Sequence, residues 1–168
     1  PKDHFFAGPS GAGYCSITSL PNLAQFAQFN QKMFEPIGVQ MAEFWGGYSP
    51  ASMEIFSQNC PAVKCITNKP QGSSDNGKFG WLSTGIAFTQ TDKLFWEFHT
   101  GSGMKNDILN MISRRDPPFF MSIYCGSPQG LYNAWYCGTY LKQANIVYVG
   151  AEDFIDLMNQ AYIYYNGK

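Results

Sequence analysis

The sequence predicts an α/β fold. It reads as a mainly parallel sheet with alternating helices, either an open three-layer sheet or part of a β/α barrel, with one inserted β-hairpin. Three observations carry this. Short apolar runs alternate with helix-length amphipathic segments along most of the 168 residues, the pattern of β-α-β units joined by right-handed crossovers. Glycine, proline and capping residues punctuate the boundaries. One central segment breaks the alternation: it has no helical period and is rich in Phe, Trp, Thr and Ile. The length suits one domain spanning residues 1–168.

The elements follow in order. "HFFAG", residues 4–8, is a short apolar run ending in glycine, and reads as a strand. Leu23, Phe26, Ala27, Asn30, Met33 and Phe34 recur at helical spacing behind Asn22 as N-cap, and Pro36 with Gly38 closes that helix. Residues 39–45, "VQMAEFW", form the second strand. Ser49 and Pro50 open a second helix as cap and first position. Residues 62–68 form a third strand, followed by the polar loop "KPQGSSDNG". The hairpin segment is "KFGWLSTGIAFTQTDKLFWEFHTG", with its turn expected at "QTDK" and Asp92 as a turn residue. A helix follows, with Ile108, Leu109, Met111 and Ile112 on its apolar face. "PPFFMSIYCG" is a buried strand, residues 127–144 a helix interrupted by Gly138, and "NIVYVG" a further strand. The closing helix carries Glu152 and Asp153 in its first turn, where the helix dipole favours them.

Composition narrows the partners. Aromatic residues reach 17% while charged residues fall to 14%, with a formal net charge of -1. The densest basic pair is Arg114-Arg115, so a phosphate-backbone partner is excluded. No apolar run approaches the ~20 residues of a membrane span. No secretory leader pattern opens the sequence. The five cysteines, Cys15, Cys60, Cys65, Cys125 and Cys137, leave at least one thiol unpaired within the chain. Cys60 with Cys65, and Cys125 with Cys137, are candidate local bridges, which predicts a secreted, partly disulfide-bonded protein. The cysteines contain no CxxC and lie far from His4 and His99, so no metal site is expected.

The stretch "FFAGPSGAGYCSITSLPN" tests several chemistries. A dinucleotide fingerprint would need glycine at position 16, where Ser16 stands, and a P-loop would need a lysine that is absent. No cofactor is therefore expected. A nucleophile elbow around Ser10 would need glycine at position 12, where Ala12 stands; His99 is the available base.

The same stretch resembles the motif region of the GxGYxYP family of predicted glycoside hydrolases. Gly11-Ala12-Gly13-Tyr14 match the first four motif positions, and Gly8-Pro9-Ser10 and Leu20-Pro21 flank them similarly. The tail from "IYCGSPQGLYNAWYCGTY" to "AEDFIDLMNQA" also resembles that family's end. Ser16 and Ile17 stand where the motif has Tyr and Pro, and the sequence lacks a counterpart of the family's N-terminal domain. These departures separate carbohydrate binding from catalysis as expectations.

Glycoside hydrolysis needs two carboxyls across the scissile bond, ~5–5.5 Å apart for retention. Glu43 and Glu97 form the candidate catalytic pair, because each is expected near the carboxyl end of a strand. Tyr14, Trp45 and Tyr48 offer faces for stacking on a sugar, and His99 and Ser10 complete the candidate substrate-binding set. Trp81, Trp96 and Trp135 are further aromatic candidates. The functional expectation is a glycoside-hydrolase-like domain that binds or acts on a glycan or polysaccharide. The alternative is a non-catalytic assembly subunit of an extracellular filament or matrix, a homo-oligomer joined through aromatic surface or an unpaired cysteine.

Overall fold

The computed structural model describes residues 6–7, 16–46, 49–69, 78–95, 99–115, 119–125, 127–141 and 146–166. The strands are β1 (Phe6–Ala7), β2 (Met41–Trp45), β3 (Cys65–Lys69), β4 (Phe79–Trp81), β5 (Ala87–Phe95) and β6 (Ser122–Cys125). The helices are α1 (Leu23–Phe34), α2 (Pro50–Asn59), α3 (Gly101–Ile112), α4 (Pro128–Leu141) and α5 (Ala151–Asn166). Strands β1, β2, β3, β5 and β6 are parallel, and β4 runs antiparallel to β5. The parallel strands lie side by side in chain order, as they do in a β/α barrel wall.

The side-chain alternation of β2 divides the structure into layers. Ala42 and Phe44 point to one face, where Leu23, Ala27 and Phe34 of α1 and Met53 and Phe56 of α2 cover them together with Ile66. Phe44 and Phe56 meet edge to face at 4.6 Å. Met41 points to the other face, where α5 lays Ile155 and Met158 across Met41, Cys65 and Ala87. Helices therefore cover both faces, so the sheet is three layers deep although its strand order is barrel-like. A further core joins α3 and α4 to β6 through Met104, Ile108, Met111, Ala134, Cys137 and Leu141.

Local chemistry sets the element ends. The Ser49 hydroxyl accepts from the Ser52 amide at 3.2 Å, and Pro50 opens α2. Gly38 adopts φ 70° to end the turn after α1, a conformation that favours glycine. Asn22 precedes α1 but makes no capping bond. Met33 leaves the predicted apolar face and is 48% exposed, whereas Asn30 is fully buried and its amide donates to Phe26 O at 2.8 Å.

Three expectations need correction. The hairpin exists as β4 and β5, but its turn lies at 82–86 rather than at "QTDK". Residues 87–95 are one strand with a register shift between Thr91 and Lys93. Asp92 sits in that irregularity and is buried: it forms an ion pair with Arg115, and its other oxygen accepts from the Ser122 amide at 3.0 Å. Residues 146–150 are not a strand. Finally, Cys60, Cys65, Cys125 and Cys137 are free thiols, and Cys15 lies outside the described residues. Cys60 belongs to the α1/α2 core and Cys65 to the α5 core, on opposite faces of the sheet, so they are not a local bridge.

Two predictions follow from this packing. Asp92→Ala leaves Arg115 and the Ser122 amide without their buried acceptor, and should lower stability by about 3–5 kcal/mol in urea unfolding. Burial also pushes the Cys60 thiol up to about 11 and the Cys65 thiol up to about 12. A thiol raised by folding stabilises fully below its unfolded value near 8.5, and that contribution is lost as pH climbs through the folded value. The stability difference between the wild type and Cys65→Ala should therefore hold from pH 7 to 8 and shrink between about pH 9 and 12.

Candidate functional site

All five parallel strands deliver their carboxyl ends to one edge of the sheet. The connections over 8–15, 46–49, 70–78, 96–100 and 126–127 leave from that edge, where ligands bind in sheets of this kind. Ser10, Tyr14, Tyr48, Trp96 and Glu97 belong to these connections and lie outside the described residues. Glu43, Trp45 and His99 are described.

Glu43 stands two residues before the end of β2, on the α5 face. Its register partners are Thr67 on β3 and, through Thr67, Thr89 on β5. These three form a polar row one step nearer the carboxyl edge than the apolar row Met41, Cys65 and Ala87. Glu43 is only 8% exposed, Thr67 is buried, and Thr89 is fully buried with no hydrogen-bond partner for its hydroxyl among the described residues. A buried carboxyl beside hydroxyls below a ligand edge is a chemically capable group rather than a solvated surface charge.

Trp45, half-buried, ends β2, and a parallel bridge joins it to Ser16. Gly46 follows at φ 111°, and a Cβ there would lie 2.4 Å from Ser16 Oγ. The chain leaving the "GPSGAGY" stretch thus re-enters the fold at the carboxyl end of β2. Ile17, next to Ser16, is buried in the α1/α2 core. The two positions that depart from the family motif therefore carry packing and strand contact.

His99 lies elsewhere on the same edge. It opens a cleft of about 370 Å³ between the starts of α3 and α4, lined also by Thr100, Gln129, Tyr132, Asn133 and Tyr136. Asn133 Nδ2 donates to His99 O at 2.5 Å, and Gln129 Nε2 donates to Asn133 Oδ1 at 3.0 Å. Thr100 caps α3 by accepting from the Gly103 amide at 3.1 Å, and Ser127 accepts from the Gly130 amide at 3.0 Å. Gly101 packs so tightly under Tyr136 that a Cβ would meet its ring at 2.7 Å. Amides, an imidazole and phenols in one concavity suit an uncharged ligand rich in hydroxyls.

Glu43 and His99 do not meet. Strand β3 separates β2 from β5, about 10 Å across, and Phe95, the last residue of β5 before His99, stands about 20 Å along the strand from the Glu43 level. Trp81 fastens α5 to the sheet: its Nε1 donates to Met158 O at 3.2 Å, and its ring packs near Tyr162 and Tyr165. Trp135 is 66% exposed. With Tyr132, Tyr136, Gln129 and Asn133 it makes α4 a functional candidate, of which the sequence singles out Trp135 alone. The signal available was the distribution of apolar residues around nearly the whole circumference of α4, more than one buried stripe can use.

Among the described residues, no helix is long and apolar enough to cross a membrane, and no cluster of three or more His, Cys, Asp or Glu could hold a metal ion. No family model matches the chain, and no curated protein matches it by sequence. A solved structure does: a "putative hydrolase" from Bacteroides thetaiotaomicron, with a TM-score of 0.74 and 16% identity. The match covers 93% of this chain and 33% of that one, so the chain spans about a third of its structural neighbour. At this identity the likeness establishes a shared α/β fold.

The Gly46 geometry is testable. Gly46→Ala combines a left-handed backbone with the Ser16 approach and should cost about 1–3 kcal/mol in urea unfolding. Gly85→Ala, at φ 79° with open space around it, should cost less, about 1 kcal/mol, so the difference reads the close approach to Ser16.

Proposed function

We propose that this chain is a carbohydrate-binding domain of hydrolase-like fold, with its saccharide site in the His99 cleft. The observation that carries the reading is the lining of that cleft. Asn133 and Gln129 present amides and His99 an imidazole, while Tyr132 and Tyr136 present ring faces, at the edge where sheets of this kind collect their ligands. Sugars offer the matching surface: hydroxyl groups around the ring edge and C–H groups on the ring face. The resemblance of "GAGY" and the tail to the GxGYxYP family supports the same substrate class.

Glu43 is the carboxyl we assign to any hydrolytic step; Glu97, expected as its partner because hydrolysis requires two such groups, lies outside the described residues.

The test is titration of the protein with a panel of neutral and acidic oligosaccharides, read by tryptophan fluorescence and by NMR. At least one should give a saturable response, weakened about tenfold by Asn133→Ala, the loss of one or two neutral hydrogen bonds. A flat response across the panel overturns the proposal. Reducing ends measured in the same samples report hydrolysis; release that Glu43→Gln abolishes while binding persists would make the domain catalytic.

A further inference from the structure

Helix α4 separates two concavities. One flank faces the His99 cleft. The other faces a groove of about 960 Å³ between α4, β6 and residues 146–148. Its walls include Ile123, Leu131, Ala134, Trp135, Val147 and Tyr148, and among the described residues no lining residue is charged. The volume is that of a small-molecule site. Gly138 keeps the inner end open to a ring: a Cβ there would lie 3.0 Å from Tyr148, which rests on the helix backbone at that point.

Two observations define the occupant. Walls without charge favour an apolar group and disfavour any ionic segment. The groove is also joined to the cleft over the crest of the helix. Tyr132 lines the cleft and Trp135 lines the groove, and their ring centroids stand 6.0 Å apart with a tilt of 35°. Both rings are exposed, so an aromatic saddle links the polar site to the apolar one.

We propose that the groove binds the apolar aglycone of a glycoside whose sugar occupies the His99 cleft, so that the ligand is an amphiphilic glycoconjugate bearing an alkyl chain. This rests on the saccharide reading of the cleft. A helix is about 10–12 Å across with its side chains, so a monosaccharide reaches only one of the two sites, whereas a glycoside with a long alkyl chain reaches both.

The experiment compares n-octyl β-glucoside, methyl β-glucoside and 1-octanol, each below micelle-forming concentration, by saturation-transfer NMR and calorimetry. Octyl glucoside should bind at least tenfold more tightly than methyl glucoside. Leu131→Ser and Val147→Ser, both at exposed positions, should erase that gain and leave methyl glucoside unaffected. Asn133→Ala should weaken both glucosides. Equal affinity of the two glucosides, or a gain that survives both groove variants, overturns the groove assignment alone. Octanol binding as tightly as octyl glucoside, with no effect of Asn133→Ala, overturns the joint ligand and the saccharide reading together.

Discussion

Strand β5 pairs with β3 and β4 through its first half and with β6 through its second, and the two halves are joined at a register shift occupied by the buried side chain of Asp92. A carboxylate at such a position is stable only when its oxygens are matched. One forms the ion pair with Arg115, just beyond α3, and the other accepts from Ser122, the first residue of β6. The end of α3, the start of β6 and the bend of β5 thus converge on one side chain. Because α4 follows β6, the placement of the His99 cleft relative to the rest of the sheet depends on the same pair. Its value lies in register as much as in stability, since a one-residue slip of β6 would turn Ile123 and Cys125, which share the face packed on α3 and α4, to the opposite face.

The α5 face is organised by level. At the amino side, Met41, Cys65 and Ala87 are apolar and α5 covers them; one step toward the carboxyl edge, Glu43, Thr67 and Thr89 are polar. The first level supplies hydrophobic stabilisation, roughly 1.5–3 kcal/mol for each large side chain removed from water. The second level carries the cost of burying polar groups and is where chemistry can reside. The change in character takes place within two residues of each strand, and it follows from the period of two that puts alternate side chains on one face.

Much of this was legible from residue pattern. Ser49-Pro50 fixed the start of α2 because cap and first-turn proline act locally, and Gly38 marked the end of the first helical region for the same reason. The misread elements are those set by tertiary partners. "QTDK" has turn composition, yet the half-buried Arg115 and the Ser122 amide hold Asp92 within a strand. "NIVYVG" has strand composition, yet Ile146 and Tyr148 pack against β6 and α4 without joining the sheet. The cysteine spacings suggested bridges, but sequence separation does not reveal that Cys60 and Cys65 face opposite sides of one sheet. For the site, Glu43 could be placed near a strand end from sequence, whereas the α4 cleft could not. Its residues become a group only when α3 and α4 begin side by side at the edge.

The separation between Glu43 and the cleft constrains the ligand itself. They share one sheet edge but sit on strands divided by β3, and at different levels. A single sugar ring cannot bridge about 10 Å across the strands and about 20 Å along them. On the saccharide reading proposed above, a chain of linked sugars can. Trp45 ends β2 and Tyr132 lines the cleft from α4, so each position carries an aromatic residue. The low charge of the chain suits that reading, because an extended neutral ligand is held by many weak stacking and hydrogen-bonding contacts rather than by a few strong ionic ones. The spacing between the Glu43 level and the end of β5 then favours an oligomer over a single sugar.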